Sequence, residues 1–161
     1  MITTEQIKQL REKTGVSIAQ CKKALEEANG DMDKAMEVLR ANSAAIASKK
    51  GDRAFGAGAV ASYIHSTGTI GTLVELVSET DFVSKNDEFR TLAKELAMHI
   101  AAAAPKTVKR ENPEQVAEEV LVEQPFIMNP DVTVQTRIDQ AIQKFGEKIE
   151  VSRFVRYSVL E

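Results

Sequence analysis

Residues Ser78–Phe89 read S-E-T-D-F-V-S-K-N-D-E-F. Upstream, Thr69–Val77 is a long run rich in β-branched and apolar residues, and downstream Phe89–Ala103 carries a helical pattern. The stretch is therefore a strand-to-helix junction. Thr80 or Ser84 can cap the helix through a side-chain oxygen. Asp81, near the helix start, is favoured by the backbone dipole. A phenylalanine is out of place here, because turns are built from small polar residues. Phe82 has two readings. Either it folds back as a staple against the helix it precedes, or it points outward as a partner anchor, with Asp81 beside it to meet a polar or cationic site. Aromatic anchors carry much of the energy of many interfaces.

Working outward, Phe89, Leu92, Leu96, Ile100 and Ala103 form one helical stripe that ends at Pro105. Val60–His65 and Thr69–Val77 flank Ser66-Thr67-Gly68, which predicts an antiparallel hairpin. The second run is nearly continuous in apolar residues, as suits a central strand. Asn112-Pro113-Glu114-Gln115 reads as the start of a short helix, with a cap, a first-position proline and a reciprocating glutamine. Asn129-Pro130-Asp131 reads as a turn. Val134, Ile138, Ala141, Ile142 and Phe145 give a further helix stopped by Gly146. Ile149, Val151, Val155, Tyr157 and Val159 alternate as a last strand, with Arg153 interrupting that face. These elements predict an α+β core over residues 59–161, a small three-stranded antiparallel sheet packed with helices, the last strand pairing with the hairpin.

Residues 1–40 write three short helices. Thr3 with Gln6 and Ser17 with Gln20 are capping boxes. Thr14-Gly15 and Asn29-Gly30 are stops, and Asp31 caps the third helix. Ile18, Cys21, Leu25 and Ala28 recur at helical spacing, whereas Val16 falls in an exposed-looking turn. So small a bundle has limited stability, and is either steadied by a neighbour or kept for binding. Residues 41–58 form a linker, an alanine-rich helical tail passing into a joint with Gly51, Gly56 and Gly58 and a basic cluster at Lys49, Lys50 and Arg53. Gly56-Ala57-Gly58 precedes a strand, whereas a phosphate-binding glycine fingerprint follows one.

Among the 161 residues, 28% are charged and the net charge is −3, which argues against direct nucleic-acid binding. No apolar run is long enough for a membrane span, and Met1–Leu10 has no signal-peptide core, so a cytoplasmic protein is expected. Cys21 reads as a small core residue rather than a nucleophile. His65 and His99 read first as satisfied packing or surface residues. Met98 and His99 also lie on the helix after the junction, where a partner could reach them. Two histidines and one cysteine, far apart, are a poor set for zinc. No nucleophile–base pair and no paired carboxylates stand out, so neither an enzyme nor a bound cofactor is expected.

T-D-F-V at Thr80–Val83, followed by an acidic, amide-rich turn and a second phenylalanine, resembles the signature of the elongation factor Ts family. So do L-R-E-K-T-G at Leu10–Gly15, C-K-K-A-L at Cys21–Leu25 and A-N-G-D at Ala28–Asp31. Y-I-H at Tyr63–His65, G-T-L-V-E-L at Gly71–Leu76, L-A-K-E-L-A-M-H-I-A at Leu92–Ala101, Q-P-F at Gln124–Phe126 and R-F-V-R-Y at Arg153–Tyr157 look like the core of its short form. The resemblance implies a ubiquitin-associated-like N-terminal bundle that docks on elongation factor Tu, through Leu10, Arg11, Thr14, Gly15 and Val16. It implies guanine-nucleotide exchange, with Thr80, Asp81, Phe82 and Val83 dislodging the partner's Mg2+ so that GDP leaves, and it moves Phe82 to the anchor reading. It also implies a homodimer of paired cores. The alternative is an adaptor of ubiquitin-associated type without exchange activity. One departure stands out: between Pro105 and Gln124 this chain is short and polar, where the family carries a longer helical stretch.

Overall fold

A computed structural model describes residues 1–49 and 54–161, with side chains left aside at 47–49. Of the linker's expected features, Gly51 and the cluster at Lys49, Lys50 and Arg53 lie outside the described side chains. The chain forms two compact units. One holds the N-terminal helices together with Ile138–Lys148, and the other holds the sheet and the helices packed on it.

The N-terminal helices are α1 (Thr4–Thr14), α2 (Ile18–Glu27) and α3 (Met32–Lys49). Both capping boxes form as the sequence predicts, Thr3 with Gln6 and Ser17 with Gln20. Asp31 Oδ1 accepts the N–H groups of Asp33 and Lys34, each at 3.1 Å. Gly15 closes α1 at φ 72°, a left-handed conformation that costs a glycine little. Leu10, Val16, Cys21, Ala24, Leu25, Ala28, Ala35 and Leu39 make the core of the bundle. Val16 is thus buried and not exposed, which corrects its reading as a surface residue. The turn after Gly15 folds inward, and a valine there is drawn into the apolar interior.

In the second unit, β1 (Ala57–Ile64) and β2 (Ile70–Ser78) form the predicted hairpin, with Gly68 at φ 71° in its turn. A four-residue helix, α4 (Asp81–Ser84), and a long one, α5 (Asp87–Ala103), follow. After them come a short hairpin of β3 (Pro125–Phe126) and β4 (Asn129–Thr133), and then β5 (Ile149–Ser158); between β4 and β5 in the chain runs α6 (Val134–Phe145), which from Ile138 onward belongs to the first unit. The main sheet has the order β1-β2-β5, antiparallel throughout. Thr72 Oγ1 donates to the Ala97 carbonyl at 2.7 Å, so the face of Thr72, Val74, Leu76 and Ser78 is the one covered by α5.

Three local expectations need correction. The last strand does not keep one apolar face. A bulge opposite Glu75 and Leu76 inserts a residue, so Ile149 and Val151 are buried, while Val155 and Tyr157 pair with Leu73 and Gly71 on the open face. The turn expected at Asn129-Pro130-Asp131 lies instead at Ile127-Met128, and Asn129 and Pro130 belong to β4. The helix expected after Asn112 does not form. Its cap bonds are present, Asn112 Oδ1 accepting from Glu114 and Gln115 and Gln115 Oε1 accepting from the Glu111 N–H. Arg110 then claims the Gln115 carbonyl and pairs with Glu123, and only two 3-10 turns, Ala117–Glu119 and Leu121–Glu123, follow. Among the described residues no helix is long and apolar enough to cross a membrane.

Candidate partner-binding site

The end of β2 is held tightly. Ser78 is fully buried and its Oγ donates to the Thr80 carbonyl at 2.9 Å. Thr80 stands at the N-cap position of α4 with extended backbone, φ −123° and ψ 154°, but makes no side-chain cap. Nor does Ser84, whose hydroxyl bonds back to the Asp81 carbonyl at 3.3 Å. The cap of the long helix is Asn86, whose Oδ1 accepts the Glu88 N–H at 2.8 Å. The junction is therefore two helix starts in succession, and the candidates Thr80 and Ser84 belong to the first.

This doubling decides where Phe82 goes. In a four-residue helix one side packs inward, and Val83 and Ser84 take it, both buried. Phe82 then faces solvent at 89% exposure. It makes no staple: the ring stands open to solvent on an otherwise fixed element. Asp81 is exposed beside it and pairs with Lys85 at 3.2 Å. The surface contribution of such an exposed pair is small. Asp81 and Phe82 are thus the outward-facing members of the predicted quartet, Thr80 is exposed at the cap position, and Val83 anchors the loop from beneath.

The other predicted residues belong to other elements. In the N-terminal unit Arg11 and Gly15 are exposed and Thr14 is half-buried, its hydroxyl donating to the Leu10 carbonyl at 2.7 Å. Leu10 and Val16 are core residues and can act on a partner only by shaping this turn. Ile18, read as core from its spacing, is 57% exposed at the first position of α2. It adds an exposed apolar side chain to the turn that periodicity concealed. Cys21 is buried, and burial pushes its thiol pKa up, which keeps it a core residue.

Met98 is half-buried and His99 fully buried, twelve residues past the start of α5 and so about 18 Å along its axis. His99 is a packing residue with both nitrogens engaged. Nδ1 accepts the Ile127 N–H at 3.1 Å, so the proton sits on Nε2, which donates to Gln124 Oε1 at 2.8 Å. Gln124 Nε2 donates in turn to the carbonyls of Glu118 (2.6 Å) and Ala103 (3.3 Å). The Phe126 ring stacks on the imidazole at 5.9 Å. Gln124 was visible in the sequence only as part of Q-P-F. Among the described residues no group of three or more His, Cys, Asp or Glu side chains converges where a metal ion could sit.

The described residues thus form an α+β chain with an exposed aromatic mounted on a short, pinned helix and a helical bundle with an exposed turn of its own. The sequence model of the family Elongation factor TS matches residues 2–119. Elongation factor Ts of Carboxydothermus hydrogenoformans is 43% identical, covering 100% of this chain and 90% of its own. That of Thermosipho melanesiensis is 42% identical, with 100% of both chains covered. Each of these alignments runs over 196 positions against the 161 residues here, so each relative carries about 35 residues without a counterpart. The chain belongs to the elongation factor Ts family and is a translation elongation factor.

Burial sets a pH dependence at His99. Desolvation lowers its pKa from the ordinary 6.5, and the Gln124 bond opposes this only in part. The folded protein therefore keeps His99 neutral while the unfolded chain takes up a proton. The resulting stability is full above about pH 6.5 and is lost as pH falls from there through the folded value. Denaturant unfolding at pH 7 and pH 5.5 should show a steeper loss for wild type than for His99→Gln. Equal losses would contradict the neutral, fully bonded imidazole.

Proposed function

We propose that the chain is a guanine-nucleotide exchange factor for elongation factor Tu. The observation that carries this reading is Phe82, mounted outward on a pinned helix in a chain of this family. Exchange needs no covalent chemistry. Such a GTPase holds GDP through its phosphate loop and a Mg2+ ion. A factor that binds the nucleotide-free state more tightly lowers nucleotide affinity by the same ratio. A ten-thousandfold loosening needs about 5.5 kcal/mol of differential binding. One aromatic anchor supplies roughly 2 to 4 kcal/mol on truncation. Phe82 therefore works with a second contact, and the exposed α1–α2 turn, with Arg11, Gly15 and Ile18, is the supplier we assign. In this mechanism Phe82 wedges beside the partner's Mg2+ site, Asp81 perturbs the polar network there, and Thr80 and Val83 hold the loop. The Mg2+ contact weakens and GDP leaves.

We assign the open face of the main sheet to a homodimer. Val60, Ile64, Leu73, Tyr157 and Val159 are large, exposed and gathered on the side away from α5. The same face carries Glu75 paired with Arg153 at 3.2 Å. Hydrogen bonds from Ser152 and Arg153 keep the Glu75 carboxyl ionised to lower pH than usual. A patch holding both signs of charge can meet a copy of itself without like-charge repulsion.

Release of a fluorescent GDP analogue from elongation factor Tu, with the chain at catalytic concentration, tests the function. Wild type should accelerate release, and Phe82→Ala should lose about 2 kcal/mol of that acceleration, some thirtyfold. A Phe82→Ala variant as fast as wild type would remove the loop from the mechanism. No acceleration by wild type would end the exchange reading. Sedimentation should give a mass of two chains, reduced to one by Leu73→Glu. A wild-type monomer would refute the dimer.

A further inference from the structure

The first strand of the sheet begins beside the junction that carries Phe82, with Gly56 just before it and Gly58 at its second position. The Gly56 N–H donates to the Glu79 carbonyl at 3.2 Å. A Cβ placed on Gly56 would lie 2.8 Å from that same oxygen, and one on Gly58 would lie 2.7 Å from the Leu76 oxygen. Both obstacles are backbone, so a side chain could enter only by displacing the peptide it meets. Backbone packing of this closeness has no slack to absorb a methyl group. Glycine is what lets the two chains approach here.

A second clamp acts on the next peptide. Ser78, fully buried, donates its hydroxyl to the Thr80 carbonyl at 2.9 Å. That same carbonyl accepts the Ser84 N–H at 3.3 Å, the bond that opens α4. The two peptides directly before Asp81 are thus each held by a donor from outside α4. One comes from the residue just before β1 and the other from the last residue of β2. With only four residues, α4 has no length over which to correct an error in its direction, so the clamps set where the Phe82 ring points.

We propose that Gly56 and Ser78 are positioning residues for Phe82. They fix the angle at which α4 leaves the sheet and so the direction of the ring at the partner. The inference rests on the reading of Phe82 as the exchange wedge. It also assigns a purpose to Gly56 at the end of the linker.

The test is a mutant cycle on the full chain with elongation factor Tu carrying the fluorescent GDP analogue. The variants are Gly56→Ala, Ser78→Ala, Phe82→Ala and the two doubles with Phe82→Ala. Chain concentrations are set where Phe82→Ala still exceeds the spontaneous rate. A wedge displaced by a fraction of an ångström should cut the saturating rate about tenfold in Gly56→Ala and about threefold in Ser78→Ala. The half-saturating concentration should move by less than about twofold, since most binding contacts stay. In the Phe82→Ala background neither change should lower the rate further, because the ring they aim is gone. Should Gly56→Ala fail to fold, as its melting curve would show, Ser78→Ala carries the test. Normal rates in the single variants, with Phe82→Ala impaired, would overturn the positioning role and leave the exchange reading standing. Losses that add to that of Phe82→Ala would also overturn it, because they would act through some other contact. Normal exchange by Phe82→Ala would sink the wedge reading, and the positioning role with it.

Discussion

The hold on β2 is the constraint from which the rest of the core follows. It is paired on both edges, with β1 and β5, and covered on one face by α5. Its inward residues alternate strictly, Thr72, Val74, Leu76 and Ser78, and all four are buried. The bond from Thr72 to the Ala97 carbonyl ties the strand to the helix at a depth where an unmade bond would be costly. Because both edges and one face are fixed, the strand's end is fixed. Whatever leaves that end, here a four-residue helix bearing an exposed phenylalanine, leaves it in one direction.

At its far end α5 is secured differently. His99 and Gln124 form a buried polar node that reaches Ala103, Glu118 and Ile127 by hydrogen bonds. On the surface, Lys106 pairs with Glu119 and Arg110 with Glu123. The segment from Pro105 to Gln124 is therefore an ordered strap that closes over the helix end. Every side-chain polar group of this node, on His99 and on Gln124, is partnered. The connection meets its polar groups in this way without an α-helix of its own.

How much of this the sequence disclosed follows from how local each cause is. Caps and stops act within four residues, so Thr3, Ser17, Asp31 and Gly146 could be read directly. The pairing of β1, β2 and β5 could be read as well, since three apolar runs admit few arrangements. The bulge in β5 could not. One inserted residue reverses the facing of everything after it, and nothing in Val151-Ser152-Arg153 announces it. Asn112 shows a related limit. Its capping bonds form as written, but Arg110 diverts the Gln115 carbonyl and no α-helix follows. Val16 and Ile18 exchanged places for a similar reason. Periodicity ranks positions along a helix, but burial in a three-helix bundle depends on how the turn between helices folds. The T-D-F-V loop was legible as a junction. Which of its side chains faced water depended on Asn86 starting a second helix.

The proposed exchange role is a linkage: a chain that acts so binds its GTPase better when the nucleotide is gone. The most direct measurement is the affinity of the full chain for elongation factor Tu in its nucleotide-free and GDP-loaded forms, by titration calorimetry. The account predicts tighter binding to the nucleotide-free form. It further predicts that the ratio of the two affinities equals the factor by which the chain weakens GDP binding, as reciprocity requires. Equal affinity for the two forms would contradict it, because a protein that does not distinguish them cannot shift the equilibrium between them.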